Sequence, residues 1–169
     1  DRQATLGRRA RHCLFELSRL LHGSEWAGVL SAAAFVINPN ILYLQATPLG
    51  EMLYIALFLA ALLALVRFAE QVSFPSAVAC GGCVLLASLT RYDGWLLAPL
   101  GTGLVLTAIF FDHRSVRQSA LAIAVYSIVA TSGITAWLVY NQLAFNDPLA
   151  FLTGEYATHR NIRRIVEEA

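Results

Sequence analysis

The run from Met52 to Val66, MLYIALFLAALLALV, contains no charged residue and sits between Glu51 and Arg67. An uncharged stretch of this length narrows the available folds sharply. In lipid every backbone N–H and C=O must be satisfied within the segment, which leaves a helix as the single-chain solution. With Leu49 and Gly50 ahead of it, the run approaches the ~20 residues that cross a hydrocarbon core. The whole chain agrees: 57% of its 169 residues are hydrophobic and 14% charged. Soluble domains run nearer 45–50% and about 25%. With a mean hydropathy of +0.60, the sequence describes an integral membrane protein of all-α class, a multispanning helical bundle.

Taken in order, residues 1–24 form a connector in which Arg2, Arg8, Arg9, Arg11 and Arg19 interleave with Leu6, Leu14, Phe15, Leu17, Leu20 and Leu21. Apolar spacings of three and four suggest an amphipathic helix on a basic membrane face; a plain connector between spans fits equally. Residues 25–141 are the membrane region, with spans expected near 26–44, 49–67, 76–90, 95–111 and 119–141, and 142–169 are a polar segment. That makes about five spans, counted against the ~20-residue length. The first is interrupted at Asn38-Pro39-Asn40, so its helix should end near Asn38. The third is rich in Ala, Gly, Cys and Ser, which let helices approach closely. Asn146-Asp147-Pro148 marks a turn, and Tyr156 to Ala169 reads as a surface helix. Because the sequence opens at Asp1 without Met or a signal segment, it reads as an internal piece of a longer protein.

All twelve basic residues are arginine. Five of them precede the first span, which argues that this end is cytoplasmic. Counting crossings then returns Arg67 and Arg114 with Arg117 to the cytoplasmic side. The Asn38–Glu51 break, the turn at Arg91 and the C-terminal segment fall on the extracytoplasmic side. Arg160, Arg163 and Arg164 land there too, against the positive-inside bias. A net charge of +1 and the lack of basic-aromatic patterning give no sign of nucleic acid. Cys80-Gly81-Gly82-Cys83 has CxxC spacing but lies in an apolar run without further ligands, and it reads as small-residue helix packing. His12, His22, His113 and His159 show no metal-ligand spacing.

Three polar groups share the predicted outer face. One holds Gln45, Thr47 and Glu51, the second Arg91, Tyr92 and Asp93, and the third Asn141, Asn146, Asp147, Glu155, Tyr156 and His159. The charged residues of the first two have structural explanations. A carboxylate at a helix start gains roughly 0.3–1 kcal/mol from the helix dipole. Arg91 and Asp93 suit an interfacial ion pair, with Tyr92 and Trp95 as an aromatic belt. The functional reading combines a carboxylate (base or metal ligand), a guanidinium that grips phosphate oxygens, and aromatic faces for sugars. A substrate with an anionic head, a polar ring and a lipid tail would match that set.

Three stretches carry a family resemblance: NPNILYLQATPLGEMLYIALFLAALLAL, LASLTRYDGWLLAPL and YNQLAFNDPLAFLTGEYA, which in that order cover most of residues 26–157. Together they resemble the GT-C superfamily of multispanning glycosyltransferases that use polyprenyl-phosphate sugars, among them the protein O-mannosyltransferases and aminoarabinose transferase. The resemblance implies inverting transfer of a sugar from a polyprenyl-phosphate donor to a glycan, lipid or protein acceptor. The lipid bilayer is the setting, and the site faces outward from a bacterial or archaeal plasma membrane. In those proteins the principal catalytic Asp lies in the first outer loop, for which this sequence shows no counterpart; Asp1 does not take that role. Their second outer acid matches Glu51, although Gly50 stands where Thr usually precedes it. Their Thr-Arg-Tyr-acid-Gly turn matches Arg91, Tyr92 and Asp93. Gln45 and Thr47, in the polar break on the same predicted face, are the further candidate substrate contacts. No cofactor is indicated with certainty, and a divalent metal ion is compatible with the acids. A transporter or flippase, in which broken helices line a path, and a non-catalytic membrane scaffold are the competing classes. Against the transporter, the charges sit at span ends and no internal repeat is visible.

Overall fold

Helix boundaries in this chain follow its prolines, serines and glycines. The computed structural model describes residues 2–47, 50–112 and 116–153. The expected surface helix at Tyr156 to Ala169 and the candidates Glu155, Tyr156 and His159 lie outside the described residues, as do His113 and Arg114. Helix α1 (Arg2–His22) stops at Gly23, whose φ of 62° is the left-handed conformation glycine adopts without steric cost. Helix α2 (Glu25–Ile37) hands over to α3 (Pro39–Ala46) with a 61° bend. Asn38 makes that joint: its Oδ1 accepts from the Asn40 N–H at 2.9 Å, and Pro39 occupies a first-turn position that has no need of an N–H.

Helix α4 (Glu51–Glu70) contains the uncharged run. Helix α5 (Phe74–Thr90) starts with a reciprocal cap. Ser73 Oγ accepts from the Ser76 N–H at 3.4 Å, and Ser76 Oγ accepts from the Ser73 N–H at 3.0 Å. A 3-10 turn (Tyr92–Leu96) leads into α6 (Leu97–Asp112), followed by α7 (Val116–Phe145) and the short α8 (Ala150–Thr153). Helices joined by short connections make up the described residues, and no strand is present among them, as the all-α expectation required.

The number of spans differs from expectation. Among the described residues, α4 and the Ser119–Phe145 part of α7 are long and apolar enough to cross a membrane, and the bent α2–α3 pair would make a third. The two further crossings expected near 76–90 and 95–111 are shorter helices. The 3-10 turn separates them, leaving α5 with 17 residues and α6 with 16. At 1.5 Å per residue these reach ~26 and ~24 Å, short of a ~30 Å core.

Helix α5 sits between α4 and α7. One core joins Leu65 and Phe68 of α4, Cys80 and Val84 of α5, Val105 of α6 and Tyr126 of α7, all fully buried. Small residues permit the closeness. A Cβ on Gly81 would stand 2.9 Å from Val129 Cβ, so α5 and α7 meet backbone to side chain there. Gly101 faces the Tyr126 hydroxyl in the same way. That hydroxyl donates to the carbonyls of Leu97 at 2.8 Å and Ala98 at 3.2 Å, pinning the start of α6 to the middle of α7.

Helix α1 does not lie across one end of the bundle. It runs parallel to α4, with Leu6 and Ala10 beside Met52 and Ala56, and Glu16 beside Arg67. The Glu16 carboxylate receives Arg19 at 2.8 Å and Arg67 at 3.8 Å, so one acid ties α1 to the last turn of α4. The Arg19 hydrogen bond, aided by the charges around it, holds Glu16 below its ordinary carboxyl range.

Candidate functional site

Glu51 is the first residue of α4 and Arg91 caps the end of α5. Because these helices run antiparallel, the two ends meet. A carboxylate at a helix start and a guanidinium at a helix end each complement the local dipole. The Arg91 Nη1 lies 3.9 Å from Glu51 Oε1, an ion pair rather than a hydrogen bond. The nearer partner is Asp93, whose Oδ2 accepts from Arg91 Nε at 3.1 Å. The turn that makes this contact is closed by Gly94 N–H donating to the Arg91 carbonyl at 3.0 Å. The Arg91 guanidinium also lies over the Tyr54 ring, 5.6 Å from its centroid, in cation–π geometry.

Two features give this cluster chemical capacity. Among the described residues, only Nε of the Arg91 guanidinium makes a hydrogen bond, which leaves the terminal N–H groups for an anionic ligand. Among the described residues Glu51 Oε2 is buried without a hydrogen-bond partner. A buried acceptor in that state is costly, and a ligand donor that reaches it recovers the cost. Side-chain exposures of 40% for Glu51 and 48% for Arg91 keep the pair open to solvent or substrate.

Beside the ion cluster stands an aromatic wall. Tyr92 stacks on Phe151 of α8 at 4.6 Å and meets Trp95 edge-on at 5.4 Å, with Trp137 of α7 at 6.1 Å. Trp95 Nε1 donates to the Ser88 carbonyl at 3.3 Å, fixing the turn against α5. Trp137 Nε1 is buried and has no partner among the described residues. Each such ring pair contributes roughly 0.5–1.5 kcal/mol beyond its buried area, so the wall also holds α7 and α8 to the turn.

The structure therefore brings Glu51, Arg91 and Asp93 together, with Tyr92 in the adjoining wall. Gln45 and Thr47 have other neighbours. Gln45 packs on Gly7 of α1, where an added Cβ would stand 2.7 Å from its Cδ. Thr47 Oγ1 donates to the Tyr43 carbonyl at 3.2 Å, closing α3. In the third group, Asn141 is buried and its Nδ2 donates to the Trp137 carbonyl at 2.9 Å. Asn146 adopts a φ of 56°, and Asp147 Oδ1 accepts from the Leu149 N–H at 2.9 Å, so these two residues build the turn into α8.

Tyr54, Trp137 and Phe151 belong to the site and were not singled out from sequence. Tyr54 carried a signal, since three residues after Glu51 is the same helix face. Among the described residues no group of three or more His, Cys, Asp or Glu converges as a metal site. Glu51 and Asp93 both face the Arg91 guanidinium.

No protein-family model, curated protein or solved structure matches this chain.

Proposed function

We propose that the chain is the membrane part of a glycosyltransferase that moves a sugar from a polyprenyl-phosphate donor to an extracytoplasmic acceptor. The observation that carries this reading is a guanidinium hydrogen-bonded to Asp93 through Nε and ion-paired to Glu51 at 3.9 Å, whose terminal N–H groups make no hydrogen bond among the described residues, beside a Glu51 oxygen that has none there either. In the proposed role Arg91 takes the donor phosphate in bidentate fashion. When the acceptor oxygen attacks the anomeric carbon, the bond from that carbon to the phosphate oxygen breaks. The electron pair leaves with the phosphate, and Arg91 neutralises the charge that builds there. Glu51 is a supporting acid that orients the acceptor. The family resemblance assigns proton removal to a further Asp for which this sequence shows no counterpart. Asp93 sets the Arg91 rotamer, and Tyr92 gives the site an aromatic edge.

The same reading makes the bundle one of about five crossings, in which the short α5 and α6 are accommodated by local thinning of the bilayer. The outer placement of the Glu51–Arg91 end is part of the proposal and rests on the family resemblance, because packing along α4 sets Arg8 and Arg9 beside that same end. The test is transfer of labelled sugar from a polyprenyl-phosphate donor by the full-length protein. Arg91→Ala is expected to lower turnover by about 10²–10³, the range for losing one charge-stabilising donor. Glu51→Gln is expected to lower it less. Near-wild-type turnover in both, at normal expression, removes these roles.

A further inference from the structure

The seam between α1 and α4 holds a cavity of about 450 Å³, whose lining includes Arg8, Arg9 and His12 on one side and Leu53, Leu57 and Ala60 on the other. A second cavity of about 420 Å³ continues it toward Arg67 and shares Cys13 and Ala60 with the first. The result is an open trough with cations along one wall and the apolar surface of α4 as its floor. Thr5, Arg8, Arg9 and His12 recur at steps of three and four, so they line one face of α1.

The cations are the informative part. Among the described residues neither Arg8 nor Arg9 has an ion-pair partner, whereas Arg19, Arg67 and Arg91 each face a carboxylate. Both side chains are exposed. They stand beside Leu53 and Leu57, which lie ~3 and ~9 Å along the α4 axis from Glu51 at 1.5 Å per residue. If α4 crosses a membrane, two uncompensated guanidiniums sit at headgroup depth or just below it. Arginine there is costly without an anion and reaches outward to find one.

We infer that this trough binds an anionic glycerophospholipid, with the phosphate between Arg8 and Arg9 and an acyl chain along Leu57 and Ala60 toward the second cavity. Charge complementarity selects the head, and the apolar floor selects a lipid over a soluble anion. The inference rests on the membrane reading of α4 and holds whether or not the Glu51 site transfers sugar.

The test is native mass spectrometry of the detergent-purified full-length protein titrated with dioleoyl phosphatidylglycerol or dioleoyl phosphatidylcholine. Phosphatidylglycerol is expected to bind tighter. The double substitution Arg8→Gln/Arg9→Gln is expected to weaken phosphatidylglycerol about 30-fold and leave phosphatidylcholine unchanged. That corresponds to about 1 kcal/mol for each arginine near a lipid surface. Ala60→Leu, which keeps both charges but fills the floor between the cavities, is expected to weaken phosphatidylglycerol as well, and it serves if the double variant misfolds. Arg2→Gln is expected to leave binding intact. Equal binding of the two lipids, no loss in either trough variant, or an equal loss in Arg2→Gln overturns the site. So does the absence of any bound lipid, which would mean protein covers the trough, or displacement by glycerol 3-phosphate alone, which would mean a soluble anion fills it.

Discussion

Gly101 and Tyr126 give the sharpest test of how the bundle is held together. A Cβ at position 101 would collide with the Tyr126 hydroxyl and Leu65 Cδ2, and would stand 2.6 Å from Tyr126 Cζ. Both partners are fully buried, so neither can swing into solvent. Gly101→Ala gains up to about 1 kcal/mol in helix propensity and meets an overpacking cost of about 1–3 kcal/mol. Contacts this short, on a rigid ring, put the cost at the upper end, and a net loss of about 2 kcal/mol is expected. Tyr126→Phe removes the hydroxyl that serves the Leu97 and Ala98 carbonyls and is expected to lose about 1–2 kcal/mol. In the double variant the worst overlap is gone. The losses should then fall short of their sum by about 0.5–1 kcal/mol, because Tyr126 Cζ and Leu65 still crowd the methyl. The assay is reversible unfolding in mixed detergent followed by helical circular dichroism, with tryptophan emission as a second probe because α6 begins where the Tyr92–Trp95 turn ends. Additivity within about 0.3 kcal/mol, or a Gly101→Ala variant as stable as wild type, refutes the claim that this glycine admits the tyrosine.

Further outcomes follow from the same structure. A Thr47→Cys variant in intact cells should react with an impermeant thiol reagent added outside; reaction from the cytoplasmic side alone inverts the topology and removes the site argument. Glu16→Gln should loosen α1 from the end of α4 and speed amide exchange in α1. In the wild type, acid should do the same. The carboxyl is lowered in the folded state, so the pairing is fully present above its unfolded value and is lost as pH falls through the lowered one. Exchange in α1 that ignores both acid and the substitution contradicts that tie. Ser73→Ala removes one half of the cap on α5 and should cost about 0.5–2 kcal/mol in the same unfolding assay, with an unchanged midpoint counting against it.

Much of the secondary structure could be read before any coordinates. Asn38-Pro39 and the turn after Thr90 interrupt apolar runs with residues whose local chemistry ends helices. The cap at Ser73 went unread, because its Ser76 partner is a less usual third residue than Glu or Gln. The span count was less legible. Apolar composition reports removal from water, but it does not tell lipid from protein, and the lengths of α5 and α6, 17 and 16 residues, follow only from where the 3-10 turn divides them. The site was legible in part. Glu51, Arg91 and Asp93 stood out as charges at the edges of apolar runs, and the antiparallel packing of α4 on α5 brings them into contact. Gln45 stood in the same polar break, yet a 61° bend and a glycine on α1 turn it to a different neighbour.

By itself the sequence determined that the chain is helical, where its helices break, and that its charges gather at their ends. Those are local consequences of side-chain chemistry within a few residues. Tertiary structure alone decided that α1 lies along α4, that Tyr92 meets Trp137 and Phe151, and that Arg8 and Arg9 face an open trough instead of a carboxylate. The reason is physical: hydrophobic burial is non-directional, so a pattern of apolar residues states which face is covered. The residue that covers it depends on where a glycine or alanine lets two helices close.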